Sequence, residues 1–175
     1  VTSLRTEWGK NGAVFTLRHD QPSMQVDFRL AGETIFQGDW QTEIRQNGQP
    51  LAFEGPWEPV CWQTDSDGTY LEFLADLAGG VRLGRQIYLA RKDRFLFVAD
   101  AVLGSPAEGA NESHQNGSAN GHAANGSTGP RLEYVGRLPL AGDLKNEAAE
   151  KTREITLLAG RERVRIAPIG LGEWR

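Results

Sequence analysis

Cysteine and histidine are nearly missing from this chain, and each gap closes a class of function. Only Cys61 carries a thiol among 175 residues, so an intrachain disulfide is excluded and a cysteine-rich zinc site has no ligand set. Two of the three histidines, His114 and His122, lie in a Gly-, Asn- and Ser-rich tract, where no metal geometry is held. No metal and no cofactor is expected. No stretch reaches the roughly 18 consecutive apolar residues of a spanning helix, and no basic segment with an apolar run behind it opens the chain. A soluble protein without a membrane partner is the expectation. Nor does one sign of charge dominate: 19 Lys and Arg oppose 23 Asp and Glu, a net charge of -4, and the basic residues are scattered. A nucleic-acid partner is therefore not expected. The chain opens on Val1 rather than Met and stops at Trp174-Arg175, which suits a fragment of a larger polypeptide.

Helical periodicity is scarce as well. Asp143 to Lys151 is the one helical candidate, through Leu144, Ala148 and Ala149, and a polar loop explains it equally well. What the chain has in quantity is glycine, 21 residues, punctuating short runs of Val, Ile, Phe, Tyr, Trp and Thr, the pattern of strands and turns. Candidate strands are Leu4 to Trp8, Ala13 to His19, Met24 to Leu30, Thr34 to Trp40, Glu43 to Gln46, Glu58 to Thr64, Thr69 to Leu77, Val81 to Arg91, Arg94 to Leu103, Arg131 to Leu140, Arg153 to Ala159 and Glu162 to Ile166. The expected fold is an all-β, antiparallel β-sandwich forming a single domain over 1–175. Gly104 to Pro130 is nearly free of large apolar side chains and reads as a disordered, flexible insertion between two strands. Its glycosylation-type triplets at Asn111, Asn116 and Asn125 follow from composition.

Between Glu58 and Leu103 the turn signals set a register. The loop Arg91-Lys92-Asp93-Arg94 places Arg85 opposite Asp100, Leu83 opposite Val102, Ile87 opposite Val98 and Leu89 opposite Leu96. One face is thus aliphatic around a charged pair; Tyr88, Phe97, Ala90 and Phe95 make the other largely apolar too, so this strand pair is expected inside the sheet. The loop Asp65-Ser66-Asp67-Gly68 pairs Cys61 with Glu72 and Trp62 with Leu71. Closing the intervening turn at Ala78-Gly79 brings Glu72 opposite Arg85; closing it at Gly79-Gly80 leaves Glu72 a diagonal neighbour on the same face.

A polar row Glu72, Arg85, Asp100 follows, with two readings. It is a structural network in which one guanidinium is forked between two carboxylates inside a sheet, or a groove that hydrogen-bonds a sugar, with Trp57 and Trp62 as stacking platforms. The intervening cation argues against a general acid, which must hold a proton. Weaker constellations read as structure: the DSDG tetrad as a hairpin turn rather than a calcium loop, His19 as a strand-end residue, and Cys61 as a buried small hydrophobe. No catalytic residue is assigned.

The run VRLGRQIYLARKDRFLFVADAVLG, followed by RLEYVGRLPL and preceded far upstream by LRTEWGKNGAVFTLRHD, resembles the C-terminal β-sandwich segment of heparinase II/III-like proteins. The resemblance implies a sandwich that follows a helical domain of the same polypeptide, in polysaccharide lyases that cleave acidic polysaccharides by β-elimination. Arg85 and Asp100 match as structural positions. The family's His-rich catalytic and zinc segment has no counterpart here. The expected function is a non-catalytic scaffold or glycan-facing domain of such a protein. The alternatives are an independent carbohydrate-binding module and a small sugar-acting enzyme on a sandwich scaffold.

Overall fold

Alternating apolar residues, interrupted by Gly, Asn and Asp, build a chain of antiparallel strands. The computed structural model describes residues 1–7, 9, 11–103, 131–142, 144–149, 151 and 153–169. The proposed insertion, with its histidines and triplets, lies outside them. The strands are β1 (Thr2–Arg5), β2 (Ala13–Arg18), β3 (Met24–Leu30), β4 (Glu33–Gln46), β5 (Gln49–Pro50), β6 (Glu58–Thr64), β7 (Gly68–Leu77), β8 (Val81–Ala90), β9 (Leu96–Leu103), β10 (Leu132–Arg137), β11 (Lys145–Ala148), β12 (Ile155–Ala159) and β13 (Glu162–Ile166). One sheet runs β1-β2-β3-β4-β10 with β5 beside β4, a second runs β6-β7-β8-β9, and a third runs β11-β12-β13.

The first two sheets face each other as a β-sandwich around one core. Phe15, Leu17, Met24, Val26 and Phe28 come from the first sheet, Leu71, Phe73, Leu83 and Ile87 from the second, and Leu157 and Ala159 from the third. Each large apolar side chain so buried contributes roughly 1.5–3 kcal/mol over its exposed state. In β4 the pairing to β3 slips between Phe28 and Arg29. Ile35 and Phe36 are consequently both buried although consecutive, a bulge that bends the strand. The long β4 thereby serves β3 with one part and β10 with the other, carrying Trp40 and Thr42 toward the second sheet.

Three expectations are corrected. Residues 145–148, within the helical candidate Asp143 to Lys151, form β11, because pairing with the apolar β12 outweighs a weak helical edge. Among the described residues β9 ends its sheet rather than lying inside it; the apolar residues on its second face are not covered by a further strand. The turn after β7 closes neither at Ala78-Gly79 nor at Gly79-Gly80. Ala78, Gly79 and Gly80 make a three-residue turn with Leu77 opposite Val81. Both glycines take positive φ, 78° and 70°, which consecutive L-residues with side chains rarely share. A remote segment holds the turn in place, since the Ala78 amide donates to the Ala52 carbonyl at 2.8 Å and the Glu54 amide to that of Asp76 at 2.9 Å.

Candidate functional site

That single-residue change of register decides the site, because a slip of one residue moves every side chain of a strand to the other face. Phe73, not Glu72, stands opposite Arg85, and Glu72 faces Gln86 on the outer side of the sheet. The expected row of two carboxylates about one arginine is therefore split. A signal for this lay in β7 itself: Leu71, Phe73, Ala75 and Leu77 alternate as its apolar set and are all buried, which leaves Glu72 with Tyr70 and Asp76 on the other side. The hairpin between β8 and β9 keeps the expected register, with Arg85 opposite Asp100.

Arg85 projects from β8 into the core and is fully buried. Its Nε donates to Asp100 Oδ1 and its Nη2 to Asp100 Oδ2, each at 2.7 Å, a fork-to-fork pair whose charge assistance makes it strong. The Asp100 side chain is only 3% exposed. Nη2 also donates to Thr42 Oγ1 of β4 at 2.6 Å, and Nη1 reaches the Met24 sulfur of β3 at 3.8 Å. The guanidinium carbon lies 3.7 Å from the Trp40 ring centroid and 4.5 Å from that of Trp57, so two indole faces supply cation–π attraction. Trp57 is thereby corrected as a sugar-stacking candidate: it is 3% exposed, packs near Phe53 and donates its indole N–H to the Pro22 carbonyl at 3.0 Å.

The second partner of Asp100 comes from the first sheet. Tyr134 of β10 donates its hydroxyl to Asp100 Oδ2 at 2.6 Å. Gly136, two residues on and on the same side of β10, makes this possible, because a Cβ there would collide with the Tyr134 hydroxyl and ring. Burial, the hydrogen bond to Asp100 and that carboxylate's charge, in that order, hold the Tyr134 phenol well above its usual range. Trp40, Thr42, Met24 and Tyr134 were not legible as site residues, since their approach depends on which sheets face one another.

Trp62, by contrast, is 60% exposed. It sits on edge strand β6 with its indole N–H donating to Thr64 Oγ1 at 3.2 Å, away from the Arg85 cluster. Cys61 is half-buried on the outer face opposite Glu72. His19 shares a hydrogen bond with the Thr2 hydroxyl at 3.2 Å, its ring 4.8 Å from that of Phe73. Asp65 accepts the amides of Asp67 and Gly68 at 2.8 and 2.9 Å, closing the DSDG hairpin. A cleft of about 280 Å³ borders the cluster, lined by Pro22, Ser23, Trp40, Gln41, Thr42, Phe53 and Trp57. It offers neither carboxylate nor imidazole. No family model, curated protein or solved structure matches this chain.

Proposed function

We propose that this chain is a non-catalytic β-sandwich domain of a heparinase II/III-like, polysaccharide lyase-like protein, a scaffold with a glycan-facing surface. The observation that carries the non-catalytic reading is the separation of Glu72 and Asp100 onto opposite faces of one sheet. Acid–base chemistry on a glycan needs both groups converging on one substrate. Asp100 is instead occupied by Arg85 and Tyr134, and Arg85 joins β8 to β3 and β4 as a fixed inter-sheet tie. In this reading an acidic polysaccharide is bound and cleaved by a helical domain of the same polypeptide, and the sandwich supports it. The test is incubation of this chain with heparin, alginate and polygalacturonate while following the ultraviolet absorbance of an unsaturated uronate. No product is expected; product formation that disappears in His19→Ala or Glu72→Gln would overturn the reading.

An independent carbohydrate-binding module is the second reading, favoured by the exposed Trp62 and by the aromatic side chains on the outer face of β7, β8 and β9. A sugar-acting enzyme draws less support, because the cleft beside Arg85 holds no residue able to move a proton.

A further inference from the structure

The outer face of the β6–β9 sheet is ordered in rows that cross all four strands. Gln63, Tyr70, Tyr88 and Phe97 stand directly opposite one another in the first row, and Cys61, Glu72, Gln86 and Ala99 in the next. Its larger apolar side chains, Leu74, Phe97 and Leu103, stay outside the core cluster. Aromatic residues thus hold the same row on three adjacent strands, a span of about 10 Å.

Two details fix its shape. Gly68 has no side chain where the Tyr88 ring lies, and a Cβ there would come within 2.6 Å of that ring, so Tyr88 is laid flat along the sheet instead of standing off it. The Tyr70 hydroxyl donates to Glu72 Oε2 at 3.2 Å, which orients the carboxylate and leaves Oε1 as an acceptor. Beside it the Gln86 amide offers both donor and acceptor. Beyond them the Leu74 side chain lies over Gly84, and Ala99 and Ala101 keep the β9 side of the face low.

We infer that this face is a binding platform for a neutral, hydroxyl-rich glycan, a proposal that rests on the glycan-facing part of the function above and names its surface and ligand class. A pyranose ring is apolar on its C–H face and polar at its hydroxyl edge; it fits a flat aromatic strip bordered by a carboxylate and an amide. Charge selects against an acidic polysaccharide. The face carries Glu58, Glu72 and Asp76 against Arg82 alone, so uronate or sulfate groups would meet like charge.

Affinity electrophoresis of the chain through gels holding hydroxyethyl cellulose, galactomannan or soluble starch, beside gels holding heparin or alginate, tests this. Retardation by at least one neutral polymer is expected, with Tyr88→Ala and Glu72→Gln each weakening it about tenfold and Arg29→Ala, exposed on the other sheet, leaving it unchanged. Melting curves accompany every variant; should Tyr88→Ala unfold, Glu72→Gln and Gln86→Leu carry the comparison. Retardation by acidic polymers alone, or neutral retardation indifferent to Tyr88 and Glu72, overturns the inference and leaves the glycan-facing reading standing. No retardation in any gel overturns both. A dimer that depends on Tyr88, in the absence of retardation, assigns the face to a second copy of the chain and overturns the inference as well.

Discussion

Replacing Arg85 by alanine isolates the one charged residue that, among the described residues, is wholly buried in the core. The guanidinium is 0% exposed and Asp100 is 3% exposed, so the substitution strands a carboxylate with only the Tyr134 hydroxyl to satisfy it. Removing one partner of a buried pair typically costs about 3–5 kcal/mol. The lost bond to Thr42 and the contacts to Trp40 and Trp57 favour the upper part of that range. Since a domain of this kind is stable by roughly 5–15 kcal/mol in total, the loss is a large share. Urea melts read by tryptophan fluorescence should show the midpoint falling with the slope little changed. Arg85→Lys should recover part of the stability only, because an ammonium cannot reproduce the fork or the stacking. The double variant Arg85→Met with Asp100→Leu should be no worse than the worse single, since an apolar replacement removes both charges together. The reasoning fails if Arg85→Ala costs about 1 kcal/mol or less, the worth of a solvent-screened pair.

Three further outcomes follow from neighbouring groups. Gly136→Ala should push Tyr134 off Asp100 and destabilise by about 0.5–1.5 kcal/mol, the net worth of one hydrogen bond, since Arg85 still pairs both oxygens of Asp100, whereas the same change at open Gly142 should be neutral; equal melts for the two would refute the packing argument. Burial, and then the bond to Asp100, hold the Tyr134 phenol above the ordinary tyrosine range in the folded state, so its contribution is full below about pH 10 and is lost as pH rises through the higher folded value. Tyr70 is raised in the same direction by burial and by Glu72; the alkaline fall in stability should flatten in Tyr134→Phe and be unaltered if the bond to Asp100 is not formed. The amides of Gly68 and Asp67 hold the Asp65 carboxyl below the usual aspartate range, which carboxyl NMR titration should show, and Asp65→Ala should collapse the protection of the Asp67 and Gly68 amides; an ordinary titration for Asp65 would count against the hairpin geometry.

Much of the architecture was legible because it is written in local chemistry. The strand content follows from period-two apolar patterning and from glycine and aspartate at turns, and the β8–β9 register follows from one short loop between two alternating runs, so the Arg85–Asp100 pairing can be deduced without coordinates. Cys61 opposite Glu72 follows in the same way from the Asp65–Gly68 turn. What sequence alone left open was decided by contacts distant along the chain. The face on which Glu72 lies depends on one residue of turn length, and the tie from Ala78 to Ala52 belongs to that turn's tertiary setting. Likewise the burial of Trp57, the reach of Thr42 and Met24 to Arg85, and the approach of Tyr134 to Asp100 arise only when two sheets are laid face to face. Local propensity sets which residues alternate; the pairing of sheets sets what each alternating face meets. For that reason the sequence determined that Arg85 and Asp100 are partners, and only the tertiary structure determined that they are an interior tie while Tyr70, Tyr88 and Glu72 stand on the open side.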